Sequence, residues 1–188
     1  MAKQNVFGPG DEGADFSFMR MCNIDRIYIQ SFKRAADIVV NAVPTGETTG
    51  DDDLLFSVGY LYRHALELQL KYIIRLGVEM KLLETSPECL DAHALYPLWN
   101  KARDVLSDES EVKKLGPLEN VIQQLHDVDP SGQEFRFERT TMNKPSLNLL
   151  PDLVSLTAMQ RVVTKVYDQL ETCTESLEAQ WDARNHTY

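Results

Sequence analysis

Apolar residues recur at every third or fourth position along most of the chain, which is the spacing of amphipathic helices. The predicted helices span residues 19–43, 52–76, 91–106, 117–126 and 150–183, with a further helical turn at 109–115. Gly77 is expected to end the second helix. Pro97 is expected in an early turn of the third helix and Pro151 near the first turn of the last, where a missing N–H does little harm. The pattern therefore predicts an all-α protein.

One segment interrupts this helical pattern before the last helix. Residues 129–146, DPSGQEFRFERTTMNKPS, contain two prolines and a glycine, and side chains of opposite character alternate from Phe135 to Glu138. Such a segment predicts a turn followed by an extended strip or a small hairpin that lies against the helices. The expected fold class is an antiparallel up-and-down bundle of four to five helices with an irregular or hairpin insert.

The length of 188 residues suits one domain. We expect that domain to span residues 18–183. It follows a glycine-rich, acidic segment, 1–17, that is typical of a flexible lead-in, and it precedes a short tail, 184–188.

The second helix is apolar on two sides. One broad stripe includes Leu61, Leu68 and Ile73, while Phe56, Leu70 and Ile74 lie on the opposite side. A helix that is apolar all round is usually a central one. The pattern thus places this helix at the centre of the bundle, and the side with Phe56, Leu70 and Ile74 is a candidate dimer interface.

Five polar side chains form a continuous strip on the same helix. They are Tyr60, Arg63, His64, Glu67 and Lys71, at positions i, i+3, i+4, i+7 and i+11. In a central helix an unpaired charge would cost several kcal/mol, so partners from other segments are required. The candidate partners are His93, Asp129, Ser131 and Arg136.

Two interpretations of this strip remain open. In the structural one, Arg63, Glu67 and Arg136 form a buried ion-pair network that fixes the segment around residues 129–137 to the bundle. In the catalytic one, His64 or His93 acts as general acid or base, while Arg63 or Arg136 binds an anion, as a ribonuclease requires. The spacing alone is compatible with both.

The net charge of the chain disfavours one class of binding partner, the nucleic acids. The net charge is −10 and the sequence pI is about 4.8, opposite to the balance of proteins that bind phosphate backbones non-specifically. The three cysteines are far apart in the sequence and form no CxxC pair, which is typical of reduced thiols in a cytosolic protein. No signal peptide or membrane-length apolar run is evident, so we expect a cytoplasmic protein without membrane contact.

Motifs for cofactors are also missing from the sequence. There is no GxxxxGK[ST] or GxGxxG phosphate loop, no GxSxG elbow and no HExxH, so no cofactor is predicted. The acidic run at residues 51–53 is more typical of a helix N-terminus than of a metal site, and no metal is predicted.

Three blocks in order, YLYRHALELQLKYII, HALYPLW and DPSGQEFRF, followed by a long amphipathic helix, resemble bacterial proteins related to the HEPN superfamily. This resemblance covers residues 20 to 180 approximately. It implies a helical bundle that forms a homodimer and serves a defence, toxin–antitoxin or RNA-processing system, by binding a partner protein or a small ligand such as a nucleotide.

In catalytic HEPN members, a metal-independent ribonuclease site is built from an Arg, four to six intervening residues and a His. Here Arg63 and His64 are adjacent, and Arg184 and His186 are separated by one residue. The family's catalytic pair therefore maps onto no position of this chain. The resemblance favours a binding module, and a ribonuclease with a noncanonical set from Arg63, His64, His93 and Arg136 is the alternative.

Overall fold

The computed structural model describes residues 24–43, 54–84, 88–106 and 115–185. Its regular secondary-structure elements are all helices, as the sequence predicts. Its helices are α1 Ile24–Ala42, α2 Leu54–Glu79, the single turn α3 Glu88–Asp91, α4 Leu95–Val105, α5 Gly116–Val128 and α6 Leu156–Asn185. Residues 1–17, residues 109–114 of the predicted turn and His186 in the tail lie outside the described residues.

Helix α2 is the centre of the bundle, which confirms the prediction from its two apolar sides. It packs against α1, α4 and α6. Leu66, Leu70, Ile73 and Ile74 are all fully buried. The proposed dimer interface on this helix was therefore wrong, because Leu70 and Ile74 are inside the chain's own core and only Phe56, 50% exposed, faces solvent.

The boundaries of two helices differ from their predictions. Helix α2 continues through Gly77. A side chain cannot be accommodated at this position, because a Cβ there would lie 2.4 Å from Cγ2 of Val105. Gly77 thus allows α4 to approach α2 closely. Helix α6 begins at Leu156, after Pro151, because the Ser155 hydroxyl caps it by accepting a hydrogen bond from the backbone N–H of Ala158 at 3.2 Å.

Residues 129–155 form an irregular segment, here called the strap, between α5 and α6. It consists mainly of turns, and the predicted extended strip is absent from it. The hairpin is reduced to a single bridge between Arg139 and Pro145. Proline and glycine favour successive turns over a ladder here.

Phe135 is the apolar anchor of the strap. Its side chain is 5% exposed and lies against Gly59 of α2, where a Cβ would come within 2.3 Å of the ring. The missing side chain at position 59 therefore creates the notch that receives this ring.

A test of this notch is the substitution Gly59→Ala. We expect it to lower the free energy of unfolding by about 1–3 kcal/mol, because the added methyl group overpacks the notch and displaces Phe135. Urea denaturation measures the change. The double variant Gly59→Ala/Phe135→Leu should lose less than the sum of the two single variants, and strict additivity would argue against direct contact.

Across the described residues, no helix combines the length and the apolar character that a membrane span requires.

Candidate functional site

Three residues of the polar strip on α2 form a buried chain of ion pairs that continues into the strap. Glu67 lies at its centre: Oε2 is 2.5 Å from Nη1 of Arg63, and Oε1 accepts a hydrogen bond from Nζ of Lys71 at 2.9 Å. Arg63 reaches the strap through Nε, which is 3.0 Å from Oδ2 of Asp129. These four side chains comprise two cations and two anions, so their formal charges cancel.

Burial of the network is nearly complete. Arg63 is 1% exposed, Glu67 2%, Lys71 9% and Asp129 0%. Arg63 also donates from Nη2 to the backbone carbonyl of His93, which connects the network to the chain before α4. Each cation thus has an anion beside it, as charges removed from water require.

The strap is shaped around the Arg63 guanidinium. The other carboxylate oxygen of Asp129 accepts hydrogen bonds from the backbone N–H groups of Gln133 and Glu134, at 2.8 and 3.0 Å. Gly132, at φ 77°, covers the guanidinium closely, since a Cβ there would lie 3.1 Å from its carbon. Positive φ and close approach both favour glycine at this position.

Electrostatics support a charged Glu67. Burial alone would raise the pKa of this carboxyl, but the hydrogen bonds from Lys71 and His93 and the charge of Arg63 outweigh it and lower the pKa below the usual 4.5. Glu67 therefore remains ionised near neutral pH.

His93 is the exposed member of the arrangement. Its Nδ1 lies 2.9 Å from Oε1 of Glu67, while 64% of its side chain is accessible. Because an ionised carboxylate only accepts hydrogen bonds, Nδ1 carries the proton in this contact and Nε2 takes no part in it. A histidine oriented by a carboxylate in this way is the arrangement found in general bases.

Arg136 does not join the ion pairs, contrary to the predicted set of Arg63, Glu67 and Arg136. Its guanidinium lies 5.7 Å from the ring centre of Tyr60 and 5.2 Å from that of Phe137, and the residue is exposed. The strap contributes Asp129 instead, another of the predicted candidate partners, and its carboxylate lies opposite Arg63.

His64 belongs to an aromatic cluster beside the network. Its ring stacks on Tyr60, with centres 5.4 Å apart, and meets Phe32 of α1 edge-on at 4.5 Å. Burial lowers the pKa of His64, which favours its neutral form. Ser131, a predicted partner of the strip, is exposed at the surface of the strap.

A second polar layer, which the sequence reasoning missed, joins α1, α2 and α6. Arg26 is paired with Glu171 and, at 2.5 Å, with Glu178, which also accepts a hydrogen bond from Tyr72 at 2.6 Å. The spacing of Glu171 and Glu178 on one face of the last helix was the available signal. Their partners come from distant segments and have no sequence signature.

The structure thus brings together Arg63, Glu67, Lys71, His93 and Asp129, and places Tyr60, His64 and Arg136 in a neighbouring cluster. A scan against protein-family models found no match, and neither a search of curated proteins nor a search of solved structures found a similar protein.

Proposed function

We propose that this chain is a HEPN-like helical module that acts by binding a protein partner within a bacterial defence, toxin–antitoxin or RNA-related system. In this proposal the polar network is architectural: it holds the strap on α2. The bacterial setting comes from the resemblance of the three sequence blocks.

One observation carries the proposal. Arg63 and Lys71, the two cations of the polar strip on α2, are already neutralised by Glu67 and Asp129 and are at most 9% exposed. A substrate anion would have to displace two buried carboxylates, which is costly in a site of low dielectric constant. The net charge of −10 further disfavours a polyanionic ligand.

The alternative function is a metal-independent ribonuclease with a noncanonical site. It is favoured by His93, whose exposed ring is oriented by Glu67. Arg136, exposed on the strap, and His64 would then be the nearby anion-binding and acid–base groups.

Incubation of the purified protein with a mixed RNA pool in EDTA separates the two functions. The panel contains wild type and the variants His64→Ala, His93→Ala and Arg136→Ala. His126→Ala is the matched control, since this histidine lies on α5 and stacks on Tyr96 of α4, with ring centres 6.2 Å apart. We expect no cleavage by any of them. Cleavage by wild type and by His126→Ala that His93→Ala abolishes would support the ribonuclease instead.

The resemblance also leads us to propose that the protein forms a homodimer. Static light scattering at micromolar concentration measures it directly. A dimeric mass would support that expectation, and a strict monomer would count against it.

A further inference from the structure

An open apolar groove runs between α5 and α6. Val121 and Leu125 form one wall, Met159 and Val162 form the other, and Leu153 of the strap stands at one end. A second cavity that shares Val121 and Val162 extends the groove toward Pro117. The two cavities adjoin, and together their lining residues on α5 extend from Pro117 to Val128.

Exposed apolar side chains border this groove. Leu153 is 89% exposed, Leu149 in the same part of the strap 64%, and Val162 43%. Large apolar side chains clustered on one surface usually mark an interaction site. Phe135 of the strap, whose ring lies against Gly59, also lines the groove, so the notch on α2 positions one of the groove's side chains.

The shape and lining favour a helix over a small polar ligand. Residues 117–128 of α5 correspond to a length of roughly 16 Å, enough for about three turns of a docked helix. In the main cavity, of about 350 Å³, only Gln124 and Ser155 contribute polar side chains. In the main cavity the convergent polar groups that orient small ligands are thus sparse. The second cavity adds Lys165, Asp168 and Gln169 on its α6 side.

Charge indicates which kind of helix fits. The chain carries a net charge of −10, so a second copy or an acidic partner would be repelled, whereas a basic partner would be attracted over a distance. Close to the groove, the three exposed aspartates Asp127, Asp152 and Asp168 outnumber the cations Arg161 and Lys165, in the same sense as the net charge of the whole molecule.

We propose that the groove between α5 and α6 binds an amphipathic helix of a heterologous, basic partner, with its apolar stripe on Val121, Leu125 and Val162. This inference rests on the proposed function and deepens it by specifying the binding surface and the chemistry of the partner.

Three synthetic helical peptides of about 15 residues test the proposal. They share one leucine stripe at i, i+3, i+4 and i+7 and carry Lys, Gln or Glu at the remaining positions. Fluorescence anisotropy measures their affinity for the full chain, its Val162→Glu variant and Ile38→Glu. Ile38 is 59% exposed on α1, outside the groove, and circular dichroism verifies that both variants are folded.

The Lys peptide should bind about tenfold or more tightly than the Glu peptide, and the difference should shrink as salt rises from about 0.05 to 0.5 M. Val162→Glu should weaken binding about tenfold, while Ile38→Glu leaves it unchanged. Equal affinity for the three peptides would overturn the charge preference, and insensitivity to Val162→Glu would overturn the location.

Other occupants of the groove have distinct outcomes. A dimer that Val162→Glu dissociates but Ile38→Glu does not would make a second copy the occupant and overturn the proposal. Competition by a synthetic peptide of residues 1–23 would make the occupant a segment of this chain and overturn it equally. Absence of binding by all three peptides would overturn the groove as a helix site, while the RNA assay tests separately whether the chain is a ribonuclease.

Discussion

Replacement of Glu67 by alanine is expected to lower the free energy of unfolding by about 3 kcal/mol. The carboxylate is 2% exposed and neutralises both Arg63 and Lys71, so its removal leaves two cations buried without their central partner. Urea denaturation of wild type and variant, compared at constant m-value, measures the loss.

The matched control for this experiment is Glu119→Ala. Glu119 also contacts an arginine, with Nη1 of Arg103 at 3.3 Å, but both side chains are about one-third exposed. Solvent screens such a pair, so the control should lose only about 0–1 kcal/mol. Equal losses of stability for Glu67→Ala and Glu119→Ala would mean that the buried ion pairs contribute no more to stability than an exposed pair.

Replacement of Asp129 by alanine is expected to cost about 3–5 kcal/mol. This side chain is fully buried, pairs with Nε of Arg63 and accepts two backbone hydrogen bonds from the strap. Its loss leaves Arg63 with only one anionic partner and frees the turn that follows α5. Urea denaturation measures the stability, and limited proteolysis measures the opening of the strap.

Two further variants separate the roles of Asp129. Asp129→Asn retains an oxygen that can accept from Gln133 and Glu134 but removes the charge opposite Arg63, so a smaller loss, about 1–3 kcal/mol, is expected. Asp127→Ala, an exposed position on the last turn of α5, should change stability by about 0.5 kcal/mol or less. If Asp129→Ala behaved like Asp127→Ala, the strap would not depend on this ion pair.

The helices could be predicted from sequence because their signals are local. Two apolar sides on residues 54–76 require a central helix, whatever surrounds it. The ends of the helices were less predictable. A glycine such as Gly77 commonly ends a helix, but here it allows Val105 of another helix to approach closely. Ser155 is a local N-cap signal, but Pro151 led to a predicted helix start that was too early.

The site could be predicted only in part, for the same physical reason. The spacing of Arg63, Glu67 and Lys71 is a property of one helix and correctly predicted that they are neighbours. Which residue of the strap meets Arg63 depends on how the turns fold, and the sequence offered Asp129, Ser131 and Arg136 as candidate partners of the strip without deciding among them. Electrostatics decide between them, since only the aspartate is complementary to a buried guanidinium.

The central claim is that Glu67 is an ionised, buried carboxylate held by Arg63, Lys71 and His93. Because its pKa is lowered in the folded protein, its contribution to stability is present above the unfolded value of about 4.5 and is lost as pH falls through the folded value. A carboxyl-detected NMR titration of Glu67 in the folded protein measures that pKa. We predict a value below 4.5, and a value at or above 4.5 would contradict the paired, buried carboxylate on which the strap and the groove depend.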